Sequence, residues 1–155
     1  MRSVQSWLDE YGESHRNPTN KLIHWICVPL IMLSVLGLLL AVPRPAVFAS
    51  LSPYANWATL LILASLVYYC LLSPRLGAGM LIVTVLMYLL LGVLAGLPWP
   101  LWATSAGIFA GAWIGQFIGH KIEGKKPSFF KDLLFLLIGP LWLLAALYRK
   151  LQISY

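Results

Sequence analysis

Residues 76–120 read LGAGMLIVTVLMYLLLGVLAGLPWPLWATSAGIFAGAWIGQFIGH, 45 consecutive positions between Arg75 and Lys121 without an Asp, Glu, Lys or Arg. A helix needs ~20 apolar residues to cross a bilayer. A charge at the bilayer centre costs ~2.5–3.5 kcal/mol. The stretch therefore has room for two spans, and Leu97-Pro98-Trp99-Pro100 divides it. Proline ends helices, and Trp favours the membrane interface.

The same reading extends toward the N-terminus. The charge-free gap from Arg44 to Arg75 is 30 residues and the gap from Lys21 to Arg44 is 22. Each holds one span. The expected spans are Leu22–Val42, Asn56–Ser73, Ala78–Leu97 and Leu101–His120. Strands of a membrane barrel would alternate apolar and polar residues; these segments are apolar all round and read as helices. The whole chain agrees: of 155 residues, 60% are apolar and 10% charged, and the mean hydropathy is +0.81. Soluble domains average ~45–50% and ~25%. That excludes a disordered chain and does not suit a water-facing globule.

A fifth apolar stretch, Leu133–Tyr148, has 16 residues with Gly139-Pro140 in its middle. It is short for a span and suits a re-entrant or interfacial segment. Lys and Arg collect on the cytoplasmic side of membrane proteins. Four spans with the N-terminus inside put Arg2, Arg16, Lys21, Arg75, Lys121, Lys125, Lys126 and Lys131 inside, and only Arg44 outside. A segment that turns back keeps Arg149 and Lys150 inside as well. The expected fold is all-α: one membrane-embedded domain over residues 1–155, with four transmembrane helices, an N-terminal amphipathic helix and a short or re-entrant C-terminal helix.

The net charge of +6 needs no nucleic acid, because basic inner loops face anionic lipid. The first 21 residues are polar, carry both charge signs and do not read as a signal peptide. Cys27 and Cys70 fall within spans with no CxxC spacing, as two small apolar core residues.

Val4, Trp7, Leu8 and Tyr11 fall at i, i+3, i+4 and i+7, the stripe of an amphipathic helix that Gly12 ends. Such a helix lies on the membrane surface or packs on the protein's own inner loops. Asn17-Pro18 reads as a helix start, with Asn as cap and Pro in the first turn. Helical side chains lean toward the N-terminus, so His24 leans toward the loop that carries His15. On span four, Ala103, Gly107, Gly111, Gly115 and Gly119 make a ridge of small residues for close helix packing, which implies a central position for that span. Gly92 and Gly96 make a shorter ridge on span three. Trp113, Gln116, His120 and Glu123 share a different face of span four.

The chain has three histidines, His15, His24 and His120, and this topology puts all of them at the inner membrane boundary. Histidine is the commonest metal ligand, so three at one depth could share an ion. They could equally be solvated or hydrogen-bonded singly, since a spacing of nine is no standard metal motif. Glu123 could be a carboxylate ligand, a partner of a ligating histidine or a surface charge.

The segment His15-Arg-Asn-Pro-Thr-Asn-Lys-Leu-Ile-His24, followed by Val28-Pro29, resembles the N-terminal signature of the 2-hydroxy fatty acid dioxygenase family, small membrane proteins of fungi and bacteria. Gln116-Phe-Ile-Gly-His120-Lys-Ile-Glu123-Gly124-Lys-Lys-Pro127 resembles its second signature, and Gly139-Pro140 is also similar. Order and spacing agree over nearly the whole chain, although residues 40–100 match only as apolar sequence. Cys27 stands where the family usually has glycine. The resemblance implies Fe(II)-dependent alpha-oxidation. A 2-hydroxy fatty acid and O2 give a fatty acid one carbon shorter, with C1 lost as carbon dioxide. His15, His24 and His120 would be the iron ligands. Glu123, as a further catalytic residue, could orient a histidine or replace one as ligand.

Three protein ligands on a six-coordinate ion leave positions for the substrate's carboxylate, its 2-hydroxyl and O2, as in other non-haem iron oxygenases. Arg16, Lys21, Lys121 and Lys125 could attract the acid head group, and Asn20 and Gln116 from the two signatures join them as candidate substrate contacts. Trp25 or Trp113 could line the path of the acyl tail. The implied setting is a bacterial inner membrane or the endoplasmic reticulum, with the metal at the cytoplasmic face. The rival reading is a small transporter, channel subunit or assembly factor. Against it, no Asp, Glu, Lys or Arg sits mid-membrane, where ion pathways usually need one.

Overall fold

A computed structural model describes residues 2–128 and 133–155. Lys131, counted above with the inner-side charges, lies outside them. The described residues form α1 (Val4–Gly12), α2 (Pro18–Ala41), α3 (Ala46–Leu51), α4 (Trp57–Leu72), α5 (Pro74–Ala95), α6 (Leu101–Glu123) and α7 (Phe135–Lys150), with no strand among them.

Local chemistry sets the helix starts. The Ser3 side chain accepts from Ser6 N–H to open α1. Asn17 caps α2 by accepting from Thr19 and Asn20 N–H, with Pro18 in its first turn. Asn56 and Ser73 do the same for α4 and α5. These caps satisfy N–H groups that have no partner inside the helix. At its other end α6 stops at Gly124, whose φ of 72° is the left-handed conformation that glycine tolerates.

Three helices, α2, α5 and α6, are long and apolar enough to cross a membrane. Four were expected. The segment over Asn56–Ser73 forms α4 of only 16 residues, apolar but shorter than those three. Leu63, Val67, Leu89, Val93 and Ile114 point outward from α4, α5 and α6 and stay exposed. Outward apolar faces of this kind match lipid rather than water.

The chain runs up and down. The Trp57 indole donates to Pro43 O, which puts the start of α4 beside the end of α2. Asn56 Nδ2 donates to Tyr88 Oη near the end of α5. The starts of α2 and α5 and the ends of α4 and α6 therefore share one end of the bundle. The short helix α7 packs there. Tyr69, near the end of α4, donates to Leu137 O at 2.9 Å, and Tyr148 donates to Arg75 O at 3.1 Å. Both halves of α7 thus touch the same end of the bundle. Its residues from Ile138 to Ala145 are all buried.

The amphipathic stripe of α1 docks on α7. Trp7 meets Phe135 edge-on at 5.2 Å, and Tyr11 lies 5.6 Å from Trp142. Of the two settings open to α1, the stripe faces protein. Gly139 permits this approach, since a Cβ there would stand 2.9 Å from Tyr11 Oη.

The glycine ridge is only half used. The most extensive helix pairing joins α2 to α6. A Cβ on Gly115 would stand 2.6 Å from Cys27 Sγ, and one on Gly119 would collide with Asn20 Oδ1. Gly107 and Gly111, and Gly92 on α5, have nothing within 4 Å of such a Cβ. The expected central position of span four is not found: α6 buries the smallest share of the three long helices, 17% of its most apolar window against 39% for α2. Small residues permit close approach but do not specify where along a helix the partner crosses. Cys27 is buried as expected, but Cys70 is exposed.

Candidate metal centre

Three elements bring the histidines together. His15 sits in the link from α1 to α2, His24 two turns into α2, and His120 in the last turn of α6. All three are at most 5% exposed. Their ring centroids are 4.2 Å (His15–His24), 5.0 Å (His15–His120) and 4.9 Å (His24–His120) apart. One donor nitrogen from each lies within 4.8 Å of the others, so the trio could hold a metal ion.

Hydrogen bonds orient two of the rings. His15 Nδ1 lies 2.6 Å from Tyr11 O, and His24 Nδ1 lies 2.9 Å from Asn20 O. A carbonyl only accepts, so each Nδ1 carries the proton and donates. In the neutral rings each Nε2 then holds a lone pair. Those two Nε2 atoms face each other at 2.9 Å. The His15 ring also stacks on Tyr11, with centroids 4.1 Å apart and planes 14° from parallel. Burial, and after it the nearby His24, push His15 down to about 3, so the ring is neutral at pH 7. Burial likewise pushes the Tyr11 phenol up, and it stays protonated.

A metal suits this donor set. Two lone pairs at 2.9 Å repel unless a cation lies between or beside them. Nitrogens about 2.1 Å from one ion stand about 3 Å apart at adjacent corners. His120 Nδ1 is buried without a hydrogen-bond partner among the described residues. A metal ion would give the His120 ring a partner at this site.

Glu123 stands outside the trio. Its Oε1 accepts from Arg16 N–H at 2.8 Å, and its Oε2 accepts from Asn17 N–H at 2.8 Å and Asn20 Nδ2 at 3.1 Å. The carboxylate thus straps the end of α6 to the start of α2. Asn20, fully buried, also donates to Ser14 O at 3.2 Å. It braces the link that carries His15. Lys125 Nζ donates to Glu13 O at 2.8 Å and ties the two segments again.

Beside the imidazoles lies a small, partly open cavity of about 60 Å3 between α2, α6 and α7. His24, His120 and Gln116 line one end of it. Arg16, Lys21 and Lys121 are exposed and do not line it, nor does Asn20. Trp113 lines the cavity; Trp25 is exposed outside it. Sequence reasoning overlooked Tyr11 as a partner of His15, although their spacing of four lets the Tyr11 carbonyl reach the ring. It also overlooked Ser128, a buried wall residue that follows a basic turn and carries no sequence signal.

Comparison with known proteins adds to this geometry. The sequence model of a family described as 2-hydroxy-palmitic acid dioxygenase Mpo1-like matches residues 1–151. The chain is 33% identical over 134 residues to the 2-hydroxy-palmitic acid dioxygenase MPO1 of Saccharomyces cerevisiae, covering 86% of this chain and 72% of that protein. No solved structure matches. With nearly its full length matched by that description, the chain belongs to the Mpo1-like family.

Proposed function

We propose that this protein is a membrane-embedded, iron(II)-dependent dioxygenase of 2-hydroxy fatty acids. The substrate and O2 would give the fatty acid one carbon shorter, carbon dioxide and water. The observation that carries this reading is the buried imidazole trio, of which His24 and His120 line a largely apolar cavity. Family membership and the name of the yeast relative support the substrate class.

His15, His24 and His120 would hold the iron, which supplies activation of O2. The chain's own contribution is to orient and exclude. Tyr11 O and Asn20 O hold the His15 and His24 protons on Nδ1, so that both Nε2 atoms face inward. Tyr11 and Trp142 cover the His15 ring and keep water from it. Glu123 acts at a distance from the chemistry by fixing the start of α2. Arg2, Arg16, Lys21, Arg75, Lys121 and Lys125 belong to segments at the imidazole end of the bundle, whereas Arg44 follows α2 at the other end. This charge bias supports a cytoplasmic placement of the trio.

The test is product analysis. Protein purified without O2, then given 2-hydroxypalmitate and O2, should form pentadecanoate and carbon dioxide in equal amounts. A folded, iron-loaded protein that leaves 2-hydroxypalmitate unchanged would favour the transporter or assembly-factor reading instead.

A further inference from the structure

The cavity is polar at one end and apolar at the other, and two helical stripes build it. On α2, Val28, Ile31 and Met32 follow His24 at +4, +7 and +8. On α6, Gln116 and Trp113 precede His120 by four and seven. Both stripes leave the imidazoles and run toward the middle of the bundle. At 1.5 Å per residue the longer one reaches ~12 Å. The third wall is α7, through Leu136, Gly139 and Pro140. Leu136 is exposed at the rim, and Ile31 and Met32 are half-buried, so this side meets the bilayer interior.

Ser128 supplies the second observation. Its side chain lines the same cavity and is 4% exposed, and its hydroxyl has no hydrogen-bond partner among the described residues. A buried hydroxyl left unpaired is costly. A ligand oxygen in the cavity would take that proton. Gln116, also buried, lines the same cavity.

We infer that the cavity is a tail-inward slot for a single long-chain 2-hydroxy acid, in which Ser128 Oγ donates to the head-group carboxylate and Ile31, Met32 and Gly139-Pro140 contact the acyl chain. The inference rests on the dioxygenase reading and adds to it the head-group contact and the wall that reads chain length. The enclosed space takes the head group and first carbons of an amphiphile, and the rest of the tail leaves past the exposed Leu136. The imidazole end satisfies its carboxylate, and the bilayer-facing wall shelters its tail. Ser128 then binds substrate without holding the metal, and Met32 limits the tail.

The test is equilibrium binding without O2, so that no turnover intervenes. The full-length iron-loaded protein in detergent is titrated by calorimetry with 2-hydroxypalmitate and, separately, 2-hydroxyoctanoate. Ser128→Ala should weaken both acids ~10-fold, the loss of one hydrogen bond to a charged group, with iron content and thermal midpoint unchanged. Met32→Trp should weaken the long acid ~10-fold and leave the short one within ~2-fold. The inference is overturned if Ser128→Ala binds both acids like the wild type, or if Met32→Trp weakens both equally. An iron-loaded wild type that binds neither acid would remove the dioxygenase reading as well, a result distinct from either variant outcome.

Discussion

The Nε2 atoms of His15 and His24 face each other at 2.9 Å, while the Nδ1 atom of each ring donates to the backbone carbonyl four residues earlier. Two residues nine apart in sequence thereby present two lone pairs to one point. Helix geometry and one tight link produce the arrangement, and His120 closes it from the other end of the chain.

Glu123 tests how that link is held. Glu123→Ala removes the acceptor for Arg16 N–H, Asn17 N–H and Asn20 Nδ2 together. Partners that orient metal ligands typically contribute 10–100-fold in affinity. The variant should still fold but bind iron ~10–100-fold more weakly in competition with a chelator. Unchanged affinity would show that the strap is dispensable.

Acid should destabilise the metal-free protein through His15. Its folded value, about 3, lies below the ~6.5 of an unfolded chain. Between the two, the unfolded state binds more protons, so stability rises with pH there. The contribution is complete above ~6.5 and is lost as the pH falls toward 3. Thermal midpoints of the metal-free protein should drop from pH 7 to pH 4, and His15→Asn should drop less steeply. Equal slopes for the two proteins would assign the acid lability elsewhere.

The α2–α6 contact separates two sets of glycines. A Cβ at Gly115 or Gly119 meets Cys27 or Asn20, whereas Gly107 and Gly111 face open space. Overpacking costs ~1–3 kcal/mol, and removing a glycine from a helix interior gains up to ~1 kcal/mol. Gly119→Ala should lower the thermal midpoint in detergent and Gly111→Ala should hold or raise it. The reverse order would contradict the helix contact described here.

Much of the site was legible because its cues are local. Asn17-Pro18 announces the start of α2, and the Val4-Trp7-Leu8-Tyr11 stripe announces a helix with one buried face. The lean of His24 toward the His15 loop follows from helix geometry alone. What escaped depends on long-range docking. Glu123 meets Arg16 and Asn17 across more than a hundred residues, and no periodicity encodes that. The five-residue ridge on α6 states where a helix could approach, but of its four glycines Gly115 and Gly119 meet α2 while Gly107 and Gly111 do not. Ser128 became visible only once α2, α6 and α7 enclosed a common space. The span over α4 was read from lack of charge, and its helix of 16 residues is shorter than that gap suggested.

Metal content decides whether the three imidazoles share an iron. Protein purified without O2 from iron-replete cells should carry about one iron per chain by elemental analysis, and His15→Ala, His24→Ala and His120→Ala should each lose both the iron and the conversion of 2-hydroxypalmitate. A wild type that turns over 2-hydroxypalmitate with no transition metal bound, or a histidine variant that keeps its iron and its turnover, would contradict the account.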